Sequence, residues 1–152
     1  MSAVGKLAAA AAIGLLFAGA TSHHSYAKGH PGVVAFARDR IGCPYAWGGT
    51  GPCSSGFDCS GLAMEAYAAA GMTIPRTSEE QWAAGPQVSK PKPGDLVFFA
   101  GGDGTMTAPG HVGIVVSAKR HMMIDAAEPG TYVREESYAG WTGFVGYTDP
   151  GA

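Results

Sequence analysis

One cysteine in this sequence stands where a nucleophile would be activated, at the start of a predicted helix. Asp58 can cap a helix over residues 59–70 that ends at Gly71. The positive end of the helix dipole and the unpaired N–H groups of the first turn favour the thiolate form of Cys59, and the thiolate is the nucleophile. Small neighbours would let a substrate backbone approach closely, and they are Gly56, Ser60 and Gly61. The competing interpretation is a buried structural cysteine.

A histidine that opens a predicted strand could supply the proton transfers. His111 begins the strand 111–116, and a tight connection makes this strand and 122–126 a hairpin. A three-residue loop centred on Ala118 would place residue 111 opposite Asp125, whose carboxylate would orient the imidazole in a nucleophile–base–orienter triad. A register shift of two residues keeps the pair on one face as diagonal neighbours, whereas a slip of one separates them.

Two other residues compete with Asp125 for the third position of the triad. Glu128 is close to it in sequence, while the place of His121 in the turn argues against that residue. An exposed strand aspartate without any catalytic role is the remaining interpretation of Asp125.

The helices that would position these residues follow from their end signals. Residues 31–41 are predicted to form a helix with a proline in its first turn and a glycine just past its end. The stretch 42–57 is rich in glycine and proline and is predicted to be a long structured loop. Thr77 or Ser78 can cap a third, short helix, since a glutamate or glutamine follows each of them three residues later.

The second half of the chain has the pattern of strands. The candidates are residues 96–99, 111–116, 122–126, 132–135 and 144–147. Helices followed by strands indicate an α+β fold with an antiparallel sheet.

Length and composition limit the chain to one domain, which we place at residues 31–150. The 152 residues are 46% hydrophobic and 14% charged, as expected for one globular domain. The formal net charge of −2 lacks the basic excess of a nucleic-acid-binding protein. We expect a monomer that binds no nucleic acid.

The first twenty residues have the pattern of a secretory signal peptide. Lys6 precedes the small and apolar run 7–20, and Ala18 and Ala20 stand at the −3 and −1 positions of a cleavage site after residue 20. The run is too short for a bilayer, which takes about 20 residues, so we expect no membrane span in the mature protein. Residues 21–30 would be a flexible mature N-terminus, and the protein would be secreted or in the cell envelope.

Two further cysteines flank the glycine-rich loop. Cys43 and Cys53 lie ten positions apart in a chain expected to be exported, where disulfides persist. We expect a disulfide between them, which leaves Cys59 free. Zinc binding is the alternative, but the spacing matches no common zinc motif.

Four motifs in order resemble the NlpC family of bacterial cell-wall cysteine peptidases. The first joins the sequence PYAWGG at 44–49 to FDCSGL at 57–62. The others are 75–78 with Gln81, 91–99, and 111–114. The resemblance extends from about residue 33 to 147 and implies a papain-like α+β fold, with the nucleophile at a helix N-terminus packed on an antiparallel sheet.

The resemblance also implies a role for each matching residue. Cys59 would be the nucleophile, His111 the general base and Asp125 the polar third residue, a position where the family more often has His, Asn or Gln. The Tyr45 hydroxyl would stabilise the oxyanion together with the backbone N–H of Cys59. The residues implied to line the substrate groove are Asp58 and Ser60.

Several of these residues also have a purely structural interpretation. Tyr45, Trp47 and Trp82 could pack in the core, and for Trp47 we expect packing rather than contact with substrate. Asp58 could serve as a helix cap, which is compatible with a place in the groove.

The resemblance implies an exported peptidoglycan hydrolase that cleaves stem peptides, most often between γ-D-glutamate and diaminopimelate, through an acyl-enzyme on Cys59. This chemistry requires no cofactor and no metal. Two alternatives stay open, namely another amide specificity (a muramoyl-alanine amidase or an acyl transferase) and a non-catalytic wall-binding module.

Replacement of the nucleophile tests the cysteine mechanism. We expect Cys59→Ser to abolish hydrolysis of purified stem peptides without loss of the fold, because a serine hydroxyl is not ionised at neutral pH. We expect a comparable loss in His111→Ala, which removes the proton acceptor and donor. Circular dichroism checks the fold, and near-native turnover by Cys59→Ser would exclude a thiolate nucleophile.

Overall fold

Three helices precede a six-stranded antiparallel sheet in the computed structural model, which describes residues 29–152. The helices are α1 (Pro31–Asp39), α2 (Cys59–Ala69) and α3 (Ser78–Ala84). The strands are β1 (Gln87–Val88), β2 (Leu96–Phe99), β3 (His111–Ser117), β4 (Met122–Asp125), β5 (Arg134–Ser137) and β6 (Phe144–Thr148). They lie in the order β1-β6-β2-β3-β4-β5, which confirms the predicted α+β class.

Two predictions concern the start of the chain. The signal peptide at 1–20 lies outside the described residues, and so does nearly all of the segment 21–30. In the part that the structure describes, no helix is long and apolar enough to cross a membrane.

The helix ends follow the capping signals in the sequence. Asp58 is the N-cap of α2, where its carboxylate accepts a hydrogen bond from the backbone N–H of Gly61 at 2.7 Å. Thr77 caps α3 in a capping box with Glu80, so the first of the two predicted caps is the one used. Helix α1 has its proline in the first turn and ends at Asp39, two residues earlier than predicted.

The central strands β2 and β3 are buried on both faces, to which their alternate residues point. Helices α1 and α2 cover one face, where Val112, Ile114 and Val116 of β3 belong to the larger core. The second, smaller core lies on the other face and consists of Val97, Phe99, Val115, Met123 and Tyr138. Strand β3 therefore buries apolar side chains on both of its faces, as a central strand does.

The predicted register of the β3–β4 hairpin is wrong by two residues. Ile114 pairs with Ile124, rather than with residue 122, and this register continues to place Asp125 beside Gly113. The reason is a longer connection, since Ser117 pairs with Met122 and the loop spans 118–121 instead of three residues centred on Ala118. This displaces the pairing by three residues, and an irregularity between Val115 and Ser117 reduces the displacement to two. A shift of two keeps side chains on the same face, so His111 and Asp125 are diagonal neighbours.

The strand predicted at 132–135 is observed two residues later, as β5. The backbone of Val133 is already engaged elsewhere, since its N–H donates to Cys43 O at 2.8 Å and its carbonyl accepts from Gly42 N at 2.9 Å. Pro44 and Tyr132 form an isolated bridge in the same place. The loop thus pairs with the segment ahead of β5, a contact across about ninety residues that no local pattern encodes. Strand β1 was not predicted either, because it has only two residues.

The glycine-rich loop is stapled by the predicted disulfide. Cys43 and Cys53 are bonded, and Cys59 is the free cysteine of the described residues. The bonded sulfurs are not available as thiolate ligands, which removes the zinc alternative. Loop backbone also meets the start of α2, where Tyr45 bridges Phe57 in parallel and Asp58 N donates to Gly49 O at 3.0 Å.

Loss of the bridge should lower stability without changing the free thiol. We expect the double variant Cys43→Ala/Cys53→Ala to lose about 2–3 kcal/mol of unfolding free energy in urea, because the bridge lowers the conformational entropy of the unfolded chain. Cys59→Ala is the matched control, with a smaller expected change. Alkylation of the unreduced protein followed by mass analysis should modify Cys59 alone, and a bridge containing Cys59 would contradict the pairing.

Candidate active site

Cys59 occupies the first position of α2, directly after the Asp58 cap. Its thiol is free and half-buried, and its Sγ lies 4.0 Å from the carbonyl oxygen of Gly110, the residue before His111. The start of α2 and the start of β3 therefore meet at this point. The unpaired N–H groups and positive dipole end of the first helical turn face the same region.

His111 is held by a buried hydrogen bond to Asp125. The imidazole Nε2 donates to Asp125 Oδ2 at 2.8 Å, and the two residues are 8% and 1% exposed. An ionised carboxylate can only accept, so the proton of this bond belongs to Nε2. The second ring nitrogen, Nδ1, is thereby left for the thiol of Cys59.

The charges around His111 favour its protonated form. Burial is the largest influence and lowers the pKa of the imidazole, but the hydrogen bonds to Asp125 and Cys59 and the charges of both groups outweigh it. Together they raise the pKa of His111 to about 10. A cationic imidazole beside a thiol is the arrangement that produces a thiolate–imidazolium pair.

Aromatic rings enclose the imidazole on the face opposite the helices. The ring centroid of His111 lies 5.8 Å from that of Trp141 and 6.2 Å from that of Phe99. These contacts exclude water from the His111–Asp125 bond and fix the ring plane. Trp141 lies in the segment between β5 and β6, and no local feature of the sequence pointed to it.

Two charged residues of β5 lie behind Asp125. Arg134 is its cross-strand partner, and the Nε of Arg134 donates to Glu136 Oε1 at 2.7 Å. Burial raises the pKa of the Glu136 carboxyl, the bond from Arg134 lowers it, and the charge of Asp125 raises it. Asp125 Oδ1 itself is buried without a hydrogen-bond partner among the described residues. The triad candidate is therefore backed by a further ion pair that the sequence pattern did not reveal.

Asp58 is saturated with hydrogen bonds, which makes it an organising residue at the start of α2. Besides Gly61 N, it accepts from Gly48 N at 3.0 Å and from both terminal nitrogens of Arg76, at 3.0 and 2.7 Å. Arg76 also donates to Ser60 Oγ at 2.8 Å, and its pKa is raised by the bond to Asp58. The predicted cap role is thus observed. The sequence singled out Arg76 only as part of the 75–78 motif and did not predict its bonds to Asp58 and Ser60.

The small residues near Cys59 pack against the protein itself. A side chain on Gly61 would collide with the carbonyl oxygen of Gly49, and one on Gly56 with that of Pro44. Both glycines are buried. They let the loop approach α2, rather than opening room for a substrate backbone as the sequence suggested.

Tyr45 lies on the loop beside the nucleophile. Partial burial raises the pKa of its hydroxyl, and the negative charges of Cys59, Asp58 and Asp103 raise it further. The hydroxyl therefore stays protonated at neutral pH, as a hydrogen-bond donor must. The oxyanion role of Tyr45 stays a prediction.

The expectation that Trp47 packs in the core is wrong. Its side chain is 82% exposed, next to Gly48, whose N–H binds Asp58. The turn 47–48 points away from the core because the flanking residues are fixed against α2. Trp82, in contrast, packs against Phe98 with ring centroids 5.4 Å apart.

The two competitors for the third position lie elsewhere. Glu128 is exposed in a turn, where its carbonyl accepts from Thr131 Oγ1 at 2.7 Å. His121 is exposed at the end of the hairpin connection and meets the ring of Tyr138 edge-on at 5.4 Å. The structure thus brings Asp125, and neither of these residues, to His111.

A model of the NlpC/P60 family matches residues 42–145 of the chain. This range contains Cys59, His111 and Asp125. The chain belongs to the NlpC/P60 family, as the four motifs indicated.

Curated relatives share this region. The probable endopeptidase p60 of Listeria innocua is 40% identical over 115 residues, which are 74% of this chain and 23% of that protein. The gamma-DL-glutamyl hydrolase of Bacillus subtilis is 40% identical over 109 residues, which are 68% of this chain and 26% of that protein. The chain thus spans well under a third of the length of these relatives.

A solved structure has the same fold. The peptidoglycan hydrolase RipB of Mycobacterium tuberculosis matches with a TM-score of 0.64 and 30% identity, over 78% of this chain and 62% of that chain. The papain-like α+β architecture expected from the sequence is confirmed.

The electrostatics predict how His111 titrates. We expect its imidazole to titrate near pH 10, and in Asp125→Asn closer to the ordinary value of about 6.5, because the charge-assisted bond is lost. Because folding raises the pKa of His111, its contribution to stability is fully present below the pKa that the imidazole has in the unfolded chain. That stabilisation is lost as the pH rises towards 10. The stability advantage of the parent over Asp125→Asn should therefore decline between these pH values.

Nuclear magnetic resonance of the imidazole and urea unfolding at several pH values measure these two effects. Glu128→Ala is the matched control, since its carboxylate is exposed in a turn, and we expect it to leave both unchanged. An unaltered titration of His111 in Asp125→Asn would contradict the assigned cause.

Proposed function

We propose that this protein is an exported cysteine peptidase that hydrolyses peptidoglycan stem peptides, at the bond between γ-D-glutamate and diaminopimelate. One observation carries the proposal. A free cysteine at the N-terminus of α2, with its Sγ 4.0 Å from the carbonyl oxygen of Gly110, lies beside His111. The Nε2 of this histidine is held by the buried Asp125 at 2.8 Å. This is the constellation of a nucleophile, a base and an orienting residue.

The acylation step uses both partners of the thiolate–imidazolium pair. The Cys59 thiolate attacks the carbonyl carbon of the scissile amide, and the negative charge moves to the carbonyl oxygen. The backbone N–H of Cys59 and the Tyr45 hydroxyl are the donors we assign to that oxyanion. As the C–N bond breaks, His111 gives the proton on Nδ1 to the leaving amine, and a thioester remains on Cys59.

Deacylation reverses the roles. His111, now neutral, takes a proton from water through Nδ1, and the hydroxide adds to the thioester carbonyl. The C–S bond breaks, the carboxylic acid product leaves and gives its proton to the solvent, and the thiolate–imidazolium pair is restored. Throughout, Asp125 keeps the Nε2 proton in place and stabilises the cationic ring without accepting a proton itself.

The substrate class rests on the relatives. One match is a gamma-DL-glutamyl hydrolase, another an endopeptidase, and the solved neighbour RipB is a peptidoglycan hydrolase. The Arg76 side chain is 34% exposed at the start of α2 and offers a charged group to a stem peptide, which carries both carboxylates and amines.

Export is supported by two independent features. The signal-peptide pattern at 1–20 predicts passage through the membrane, and the disulfide between Cys43 and Cys53 requires an oxidising compartment to persist. The substrate lies in the same compartment.

Digestion of defined muropeptides tests the function. We expect mass analysis to show two fragments separated at the γ-D-glutamyl–diaminopimelate bond, and no product with Cys59→Ser. Release of an intact stem peptide from muramic acid would establish an amidase instead, and a mass gain on an added amine would establish an acyl transferase. Retention of Cys59→Ala on sacculi, with no turnover by the parent, would indicate a binding module.

The Asp125 variants separate orientation from charge. We expect Asp125→Ala to lose about 10²–10⁴-fold in kcat/KM, less than His111→Ala, because Asp125 transfers no proton. Asp125→Asn should retain more activity if ring orientation dominates, since an amide oxygen still accepts the Nε2–H. Glu128→Ala, as control, should be near-native, and a crippled Glu128→Ala with an intact Asp125→Ala would mean that the triad is wrongly drawn.

A further inference from the structure

A second cluster of titratable side chains lies away from Cys59. His30 precedes α1, Asp95 precedes β2 and Asp149 follows β6, so three distant parts of the chain converge here. The imidazole nitrogen and one oxygen from each carboxylate lie within 4.8 Å of one another. None of these residues takes part in the proposed reaction.

One carboxylate of the cluster, that of Asp95, is not fully satisfied. His30 Nε2 lies 2.7 Å from Asp149 Oδ1 but 3.8 Å from Asp95 Oδ1. Asp95 is 1% exposed; its Oδ2 accepts from Lys92 N at 2.8 Å, whereas its Oδ1 has no hydrogen-bond partner among the described residues. A single imidazole proton cannot serve both carboxylates at good geometry. Burial of a carboxylate oxygen without a donor costs free energy, and a bound cation would offset that cost.

We propose that His30, Asp95 and Asp149 bind one divalent transition-metal ion, of which Zn²⁺ is the best match, through His30 Nε2 and the Oδ1 atoms of the two aspartates. One imidazole nitrogen and two carboxylate oxygens are a borderline donor set that suits Zn²⁺ better than Ca²⁺ or Mg²⁺, which prefer oxygen alone. His30 retains 16% exposure, which gives water access to a fourth position.

The distances require only small movements. Zinc bonds of about 2.0–2.2 Å in a tetrahedron place neighbouring donors about 3.4 Å apart. The observed 2.7 Å and 3.8 Å from His30 Nε2 to the two aspartates bracket that spacing. The two carboxylate oxygens, which lie within 4.8 Å of each other, need to approach by at most about 1.4 Å to reach that spacing.

The surrounding backbone is shaped around His30. A side chain on Gly94 would come within 2.7 Å of His30 Cβ, and one on Gly151 would collide with the imidazole ring. The His30 N–H donates to Pro93 O at 2.8 Å, and Gly151 N donates to Asp149 Oδ1 at 3.0 Å. Gly94 thus lies against the backbone and Cβ of His30 and Gly151 against its ring, whose Nε2 is directed at Asp149.

The site is separate from the nucleophile. The His30 ring packs against Tyr67 with centroids 5.6 Å apart, and Tyr67 lies eight residues, or about 12 Å, along α2 from Cys59. A bound ion would tie the segment before α1 to β2 and to the C-terminal residues. Its effect should therefore appear in stability rather than in turnover.

Zinc binding by the full mature chain tests the site. The parent for all measurements is Cys59→Ala, which removes the Cys59–His111 pair as a competing ligand set. After chelator treatment, we expect one Zn²⁺ per chain by calorimetry and a rise in Tm of about 5–10 °C at a hundredfold excess over Kd. Asp95→Asn and Asp149→Asn should each lose at least tenfold in affinity, while Asp39→Asn, an exposed acid on α1, should not.

Two further comparisons keep the proposal falsifiable. The variant His23→Gln/His24→Gln should bind zinc like the parent, and loss of binding in it would overturn the site. In the parent itself, where no cluster residue is changed, zinc should shift the imidazole resonances of His30 and leave those of His121 in place. No shift at His30, or an equal Tm rise in the parent and in a folded Asp95→Asn, would also overturn it.

Discussion

The buried hydrogen bond between His111 and Asp125 is the contact on which the site depends. Taking an imidazolium and a carboxylate out of water costs free energy, and only a short, well-aligned bond offsets that cost. The β3–β4 pairing and the aromatic rings of Phe99 and Trp141 supply this alignment. Because the bond occupies Nε2, it also determines that Nδ1 is the nitrogen available to Cys59.

Ion pairs between side chains also connect other parts of the molecule. Arg76, just ahead of α3, neutralises Asp58 at the start of α2, so the cap that orients Cys59 is itself anchored. His30 and Asp149 join the two ends of the described chain in the same way. In each case a carboxylate is held by a partner from another segment of the chain.

The features that local signals encode were predictable. The Asp58 cap and the following glycine at 71 placed α2 nearly to the residue, and runs rich in β-branched and aromatic residues located β2, β3 and β6. The order of the four motifs indicated the NlpC/P60 family, which the family model bears out. These are properties of short segments, whose propensities and periods do not depend on the rest of the fold.

The sequence by itself therefore determined the class of fold, the family and the residues able to do the chemistry. Only the tertiary structure decided the register that makes Asp125 a diagonal neighbour of His111, the exposure of Trp47 and the pairing of Arg76 with Asp58. The physical reason is that the length of a turn and the docking of a loop on a helix set contacts between separate segments of the chain. Neither is encoded in the local propensities and periods that place the individual elements.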